Sequence, residues 1–260
     1  VWSSPENKNY PDFIKRLELY QKRLDLLEVN YANHIYEVTG TFKNSKDTLY
    51  YELSSTSKTH PIYYSTDNTE PSLVYSTPII IDTSMNIKAV IRSTKNKPLG
   101  TAFEKEVKLH KGVGAKITIN KEPHPAYNAG GKTALINGVS GNNKRYGDKE
   151  WLGFSGEDIE ISLEFKKPTN ISRISIRFYN GNGQWIYAPK KIEFFFDDDP
   201  MPYSYDIKQS DELLINSKND IPNKTIQFIK LKIPSYGIIP KGKQGAGHKP
   251  WTFIDEIIIE

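Results

Sequence analysis

Residues 151–196 read WLGFSGEDIEISLEFKKPTNISRISIRFYNGNGQWIYAPKKIEFFF. Ile159, Ile161, Leu163 and Phe165 alternate with Glu160, Ser162, Glu164 and Lys166, so four large apolar groups share one face of an extended segment and polar groups the other. The pattern predicts a half-buried strand. Past Lys167-Pro168-Thr169-Asn170, which reads as a turn, the alternation resumes with Ile171, Ile174, Ile176 and Phe178. It returns at Ile192, Phe194 and Phe196 after a Gly-Asn-Gly break. Three successive antiparallel strands joined by turns predict a β-sandwich.

Working outward, 116–120 opens this unit after a seam at Gly112-Val113-Gly114, and 226–233 and 253–259 supply its last strands. The stretch 201–223 is expected to be the least regular, with one strand-like piece at 213–215, and Asp197-Asp198-Asp199-Pro200 reads as a solvated turn. Short runs at 36–42, 49–53, 62–65, 78–81, 86–91 and 102–109 predict a smaller sandwich ahead of the seam. Before that, Pro11-Asp12 offers a helix start, and Phe13, Leu17, Tyr20, Leu24 and Leu27 follow at helical spacing, with Val29-Asn30-Tyr31 as the stop. A lone amphipathic helix needs a partner for its stripe. Phe13, Leu17, Tyr20 and Leu24 are therefore expected to fold back on the small sandwich or to pair with another copy.

The long quoted stretch resembles a discoidin (coagulation factor 5/8 type C) domain of the kind attached to bacterial β-N-acetylhexosaminidases. W-x-G-F-x-G, K-P-T and W-I-x-x-P-K occur in that order, and GAGHKPWTFIDEIII resembles the family's closing loop and last strand. PIYYSTDNTEPSLVYSTPIII followed by NIKAVI is similar to the fibronectin type III-like domain of chitobiases. Asn68 stands there where the family has Gly, in a turn that asks for a left-handed residue. DFIKRLELYQKRLDLLEVNY is similar to the last outer helix of the (β/α)₈ barrel in family 20 glycoside hydrolases. The resemblances imply an all-β chain after one N-terminal helix. Its parts are a barrel-helix remnant over 1–34, a fibronectin III-like sandwich over 35–114 and a discoidin-like jelly-roll sandwich over 115–260.

With 260 residues the chain can hold one large core or two to three small ones, and Gly 17, Pro 16 and aromatic 12% suit turn-rich β structure. It contains no cysteine, which excludes disulfides and thiol chemistry. A net charge of +4, from 35 basic and 31 acidic residues without a clustered basic stripe along the sequence, does not point to nucleic acid. No run approaches the ~18 apolar residues of a membrane helix. Val1-Trp2-Ser3-Ser4 lacks signal-peptide character, and without an initial methionine the chain is expected to be a fragment of a secreted parent.

Family 20 enzymes use an Asp-Glu pair at the end of a barrel strand. The dyads Glu157-Asp158, Asp211-Glu212 and Asp255-Glu256 lack that setting, and Asp255 and Glu256 are neighbours on a strand whose side chains point to opposite faces. There is no G-x-S-x-G. The histidines His34, His60, His110, His124 and His248 lack the spacing of a helical zinc site, and Lys241–Gly247 lacks the ending of a phosphate loop. Asp67 and Glu70 read as shaping the hairpin turn between them.

Sugar recognition needs flat aromatic faces and planar hydrogen-bonding groups. The discoidin-like loops carry Arg145, Tyr146, Trp151, Trp185, Tyr187, His248 and Trp251. The shared fold of family 32 carbohydrate-binding modules implies a glycan site there, for N-acetylhexosamine- or galactose-type sugars. For Trp151 and Trp185 the competing reading is a role as plugs of the sandwich ends, since Trp is highly buried on average. The resemblance further implies a calcium ion held by an Asp of a [LIV]-D-G turn and a strand Glu. Here these are Asn137, which lacks the charge, and Glu256. The whole reads as a non-catalytic accessory piece of a periplasmic, extracellular or cell-surface β-N-acetylhexosaminidase, whose partners are glycans and the parent's catalytic barrel. The alternative is a purely structural appendage packed on that barrel.

Overall fold

The computed structural model describes residues 4, 6, 8–45, 48–93, 95–128, 130–197 and 199–260, so Val1-Trp2-Ser3 and Asp198 of the charge run lie outside the described residues. Two compact units divide the chain, Val1–Glu106 and Val107–Glu260.

The first unit opens with helix α1, Tyr10–Leu26, started by Asn9, whose Oδ1 accepts the Asp12 N–H at 3.0 Å. Seven strands follow: β1 Val38–Ser45, β2 Thr48–Ser55, β3 Ile62–Ser65, β4 Leu73–Val74, β5 Ile79–Ile80, β6 Met85–Arg92 and β7 Pro98–Val107. They form two sheets, β1-β2-β5 and β4-β3-β6-β7, with Tyr51, Leu53, Ile87, Ala89 and Ile91 buried. Asn68 has φ +65° in the hairpin turn, the left-handed conformation its position demands. Asp67 serves the same turn by accepting the Thr69 N–H and hydroxyl.

The helix meets its unit one position round from the expected stripe. Ile14, Glu18 and Gln21 are buried, Leu17 and Leu24 are half-buried, and Phe13 and Tyr20 are exposed. Polar anchors set the rotation: Thr59 Oγ1 donates to Glu18 Oε2 at 2.6 Å, and Gln21 Nε2 donates to the Ala32 carbonyl at 3.2 Å.

The second unit contains β8 Lys116–Ile119, β9 Leu152–Ser155, β10 Ile159–Tyr179, β11 Lys191–Phe196, β12 Tyr203–Asp206, β13 Leu214–Ile233 and β14 Trp251–Ile259. The order is β12-β11-β13-β10-β14-β9, with β8 also on β10. Two long strands carry the topology. The first half of β10 lies between β8 and β13, while its second half lies between β14 and β13. The sheet thus folds over into the two layers of a jelly roll, closed on Ile161, Leu163, Ile174, Ile176, Phe178, Phe194, Phe196, Leu231 and Ile254. Each such side chain contributes about 1.5–3 kcal/mol on leaving water.

Three expectations change. Lys167-Pro168-Thr169-Asn170 does not reverse the chain: β10 runs through it, and the proline sits at a register shift between Glu164 and Thr169, where no ladder N–H is needed. The stretch 201–223 is more regular than expected, because β12 and the first half of β13 occupy it on either side of a loop over 207–213. Gly112-Val113-Gly114 lies inside the second unit, where the Lys108 N–H already bonds the Gly138 carbonyl at 2.7 Å and the Lys111 N–H that of Ile259 at 2.9 Å. No helix among the described residues is long and apolar enough to cross a membrane.

Candidate functional site

The loops that leave β10, enter β14 and precede β9 bring together an aromatic cluster. Its buried base is Trp151, Tyr179, Ile186 and Phe253, with Tyr127, Tyr146 and Trp251 packed against it and partly open to solvent. Tyr127 sits on a single helical turn, Pro125–Tyr127, and its ring meets Tyr146 at 6.0 Å, Trp251 at 5.5 Å and Phe253 at 4.9 Å. His124 lies edge-on to Trp251 at 5.2 Å. Backbone bonds tie a second aromatic element alongside, since the Trp251 N–H donates to the Trp185 carbonyl at 2.8 Å and the Tyr187 N–H to that of Trp251 at 3.0 Å.

Trp185 is half-buried and holds a left-handed backbone, φ 62°, ψ 28°, which costs a non-glycine residue roughly 1 kcal/mol or more. Its indole stacks on the exposed His248 ring at 5.1 Å, with 17° between planes. The glycine-rich loop lies on the same indole. A Cβ at Gly245, φ +79°, would come within 2.5 Å of Trp185 Cε2, so both the turn and the close approach require glycine.

Of the expected contact residues, Arg145 is exposed, and Tyr146, Trp185, His248 and Trp251 reach the rim. Trp151 and Tyr187 do not. Trp151 is fully buried, donates Nε1–H to the Asn142 carbonyl at 3.0 Å and lies under the Arg177 guanidinium at 5.6 Å. Tyr187 is buried against Tyr236 at 4.8 Å, and burial raises its phenol above the usual tyrosine range. Tyr127 and His124 are rim residues that sequence reading passed over. The signal available was His-Pro-Ala-Tyr just beyond a strand.

Beneath the rim the acid pair of β14 holds the loops from below. Asp255 Oδ2 accepts the Gly141 N–H at 2.7 Å and pairs with Arg177 at 3.0 Å. Burial pushes this carboxyl up to about 7 against the pull of Arg177. Glu256 Oε1 accepts the Gly138 N–H at 3.1 Å and meets His110 Nε2 at 2.8 Å. Because His110 Nδ1 accepts two backbone N–H groups, from Gly112 and Ile259, the imidazole proton resides on Nε2 and is donated to Glu256. Burial, reinforced by Lys108, holds His110 down at about 4, hence neutral. Burial, with Glu150 adding repulsion, lifts Glu256 well above the carboxylate range.

Asn137 and Glu256, expected from opposite ends of the unit, therefore meet at one loop. Asn137 Oδ1 already accepts the Val139 N–H at 2.8 Å, whereas Glu256 Oε2 is buried without a hydrogen-bond partner among the described residues. Among the described residues no three His, Asp or Glu side chains group as a metal site. What a hard cation finds here is one unpartnered carboxyl oxygen, whose proton it would displace, near a second buried acid.

The Fn3-associated family matches residues 51–102. No curated protein matches the chain. Among solved structures, it is similar to chitosan-binding module 1 of a chitosanase/glucanase from Paenibacillus sp. IK-5, at 7% identity and TM-score 0.36 over 58% of this chain and 98% of that one. It is also similar to a Streptococcus pneumoniae fucose binding module, at 13% identity and TM-score 0.39 over 58% and 94%. A pectin binding carbohydrate binding module follows at 16% identity and TM-score 0.36 over 58% and 92%. At such values the likeness carries nothing about ligand.

Proposed function

We propose that the second unit is a non-catalytic carbohydrate-recognition module that binds through the rim formed by Tyr127, Tyr146, Trp251 and the Trp185–His248 pair, with Arg145 at its side. The observation that carries this is the convergence of partly exposed rings from three inter-strand loops on a rigid jelly roll, the combination of flat apolar faces and planar polar groups that a sugar ring needs. Its finer form is an accessory piece of a secreted β-N-acetylhexosaminidase, acting on chitin-type or galactose-type glycans beside a catalytic barrel. That form rests on the motif resemblances of the sequence.

A calcium ion belongs to the same proposal. Glu256, through its unpartnered oxygen, and Asn137 would hold it, and its charge would offset the repulsion between Glu256 and Glu150. The purely structural alternative draws support from Trp151 and Tyr187, which plug the unit and are closed to ligand.

Calorimetric titration of chito-oligosaccharides and galactose-type sugars against the protein and Trp251→Ala decides between the two. Saturable binding that the substitution abolishes is expected. No heat with any sugar leaves the appendage.

A further inference from the structure

The fold gathers positive charge around the rim from segments far apart in sequence. Lys144 and Arg145 directly precede Tyr146, while Lys241 and Lys243 lie on the loop whose Gly245 rests against Trp185. All four are exposed, and none forms an ion pair among the described residues. Neither 180–190 nor 234–250 contains any acidic residue, although the two together carry Lys190, Lys241, Lys243, Lys249 and His248.

The acids that do lie nearby are spent or distant in role. Asp148 turns its oxygens on three backbone N–H groups of its own loop, those of Asn142, Glu150 and Trp151. Asp255 is buried on Arg177. The exposed acids at the rim's margin are Glu122, two residues before His124, and Asp211 and Glu212, on a loop that Asn180 ties down through the Ser210 and Glu212 carbonyls. A chain close to charge balance overall thus carries only cations on the two segments that bear Trp185 and His248, with exposed acids on the neighbouring loops.

Resting on the carbohydrate reading above, we infer that this rim selects anionic glycans, those whose sugars carry carboxylate or sulfate, over their neutral counterparts. The rings cover the C–H face of the sugar. Lys241 and Lys243 meet the anionic substituents, and the Arg145 guanidinium, a planar fork of donors, matches a carboxylate or sulfate edge. Attraction between exposed charges acts over about a Debye length, so the preference is ionic-strength dependent.

The test compares tri-galacturonate with galactotriose, which differ in the carboxylate, and adds a sulfated chondroitin oligosaccharide and a short DNA duplex, by calorimetry at low and high salt. Tighter binding of tri-galacturonate than galactotriose by about tenfold at low salt is expected, shrinking as salt rises. The exposed-site triple variant Lys144→Ala/Lys241→Ala/Lys243→Ala keeps its affinity for galactotriose and loses the preference. Trp251→Ala loses both sugars. The sulfated arm tells whether charge alone or carboxylate geometry is read; either supports the inference. Equal affinity for both trisaccharides, or a preference the triple variant retains, overturns it while leaving carbohydrate recognition intact. Binding of neither trisaccharide removes the recognition reading itself. Equal binding of DNA, insensitive to Trp251→Ala, identifies a general polyanion surface and overturns the inference as well.

Discussion

The Trp185 indole is covered on one face by the His248 imidazole, 5.1 Å between centroids, and held by a left-handed backbone that no glycine relieves. Since His248 is exposed, its removal costs little stability, within about 0.5 kcal/mol. It uncovers the indole instead. His248→Ala is expected to raise the acrylamide quenching of Trp185 fluorescence without moving the unfolding midpoint, read in a Trp2→Phe/Trp251→Phe background where the one other indole is the buried Trp151. Unchanged quenching would show that the glycine-rich loop alone shields the ring.

Trp151 is expected to behave differently from Trp251 although both belong to one cluster. The Trp151 ring is fully buried, bonds the Asn142 carbonyl and leaves no room for a Cβ on Gly141, which would lie 2.5 Å from Nε1. Trp151→Ala should therefore destabilise by about 3–5 kcal/mol through the cavity and the freed carbonyl. Trp251→Ala, partly open to solvent, should cost about 1 kcal/mol. Denaturant unfolding of the two variants checks the contrast, and equal losses would contradict it.

Strands whose core-facing positions are all apolar were legible, as 159–165 shows, and so was the left-handed turn at Asn68. The first half of β13 was not, because its inward positions are Ile215, Ser217, Asn219 and Ile221. Ser217 bonds Asn219, whose amide bonds the Ile174 carbonyl, and these buried polar groups erase the period of two from the hydropathy. Pro168 misled in the opposite direction, since a proline tolerated at a bulge reads in sequence as a reversal. The helix face shifted by one residue because hydrogen bonds to Glu18 and Gln21, invisible to an apolar pattern, fix its rotation. For the rim, composition told which loops carry aromatic residues but not which side of a loop each ring takes. Trp151 and Tyr187 thus turned inward, while Tyr127 and His124 joined the surface.

Calcium is expected to stabilise the second unit through Glu256. Its Oε2 is buried without a partner among the described residues, and Glu150 adds repulsion, so a divalent ion relieves a standing cost. At a free concentration of about 100 times its dissociation constant the ion should add about 2.7 kcal/mol. Thermal melts of chelator-treated protein, with and without added calcium, read this. Glu256→Gln, isosteric but uncharged, should abolish the shift. A melt indifferent to calcium, with no ion retained on equilibrium dialysis, would remove the cation and leave the His110–Glu256 hydrogen bond as what ties this loop down.

In the first unit, Tyr36 makes folding sensitive to alkaline pH. Its ring is buried edge-on to His60 at 5.6 Å, and burial, with Glu18 and Asp25 adding repulsion, raises the phenol from 10 to about 12. The folded chain therefore keeps a proton that the unfolded chain gives up at about 10, so unfolding releases protons in that window and stability falls as pH rises through it. The contribution is whole below about pH 10 and gone above about pH 12. Discounted for partial screening, it amounts to about 1–2 kcal/mol. Tyr36→Phe keeps the ring and removes the ionisation. Between about pH 9 and about pH 11 it should lose less stability than the parent in denaturant melts that follow this unit. Burial also raises other phenols, Tyr31 and Tyr187 among them, so the parent's tyrosine absorbance should show one more late-titrating phenol than that of Tyr36→Phe. Parallel losses in the two proteins would mean that Tyr36 ionises without resistance, and that the packing of Glu18 against this sandwich is looser than its hydrogen bond to Thr59 implies.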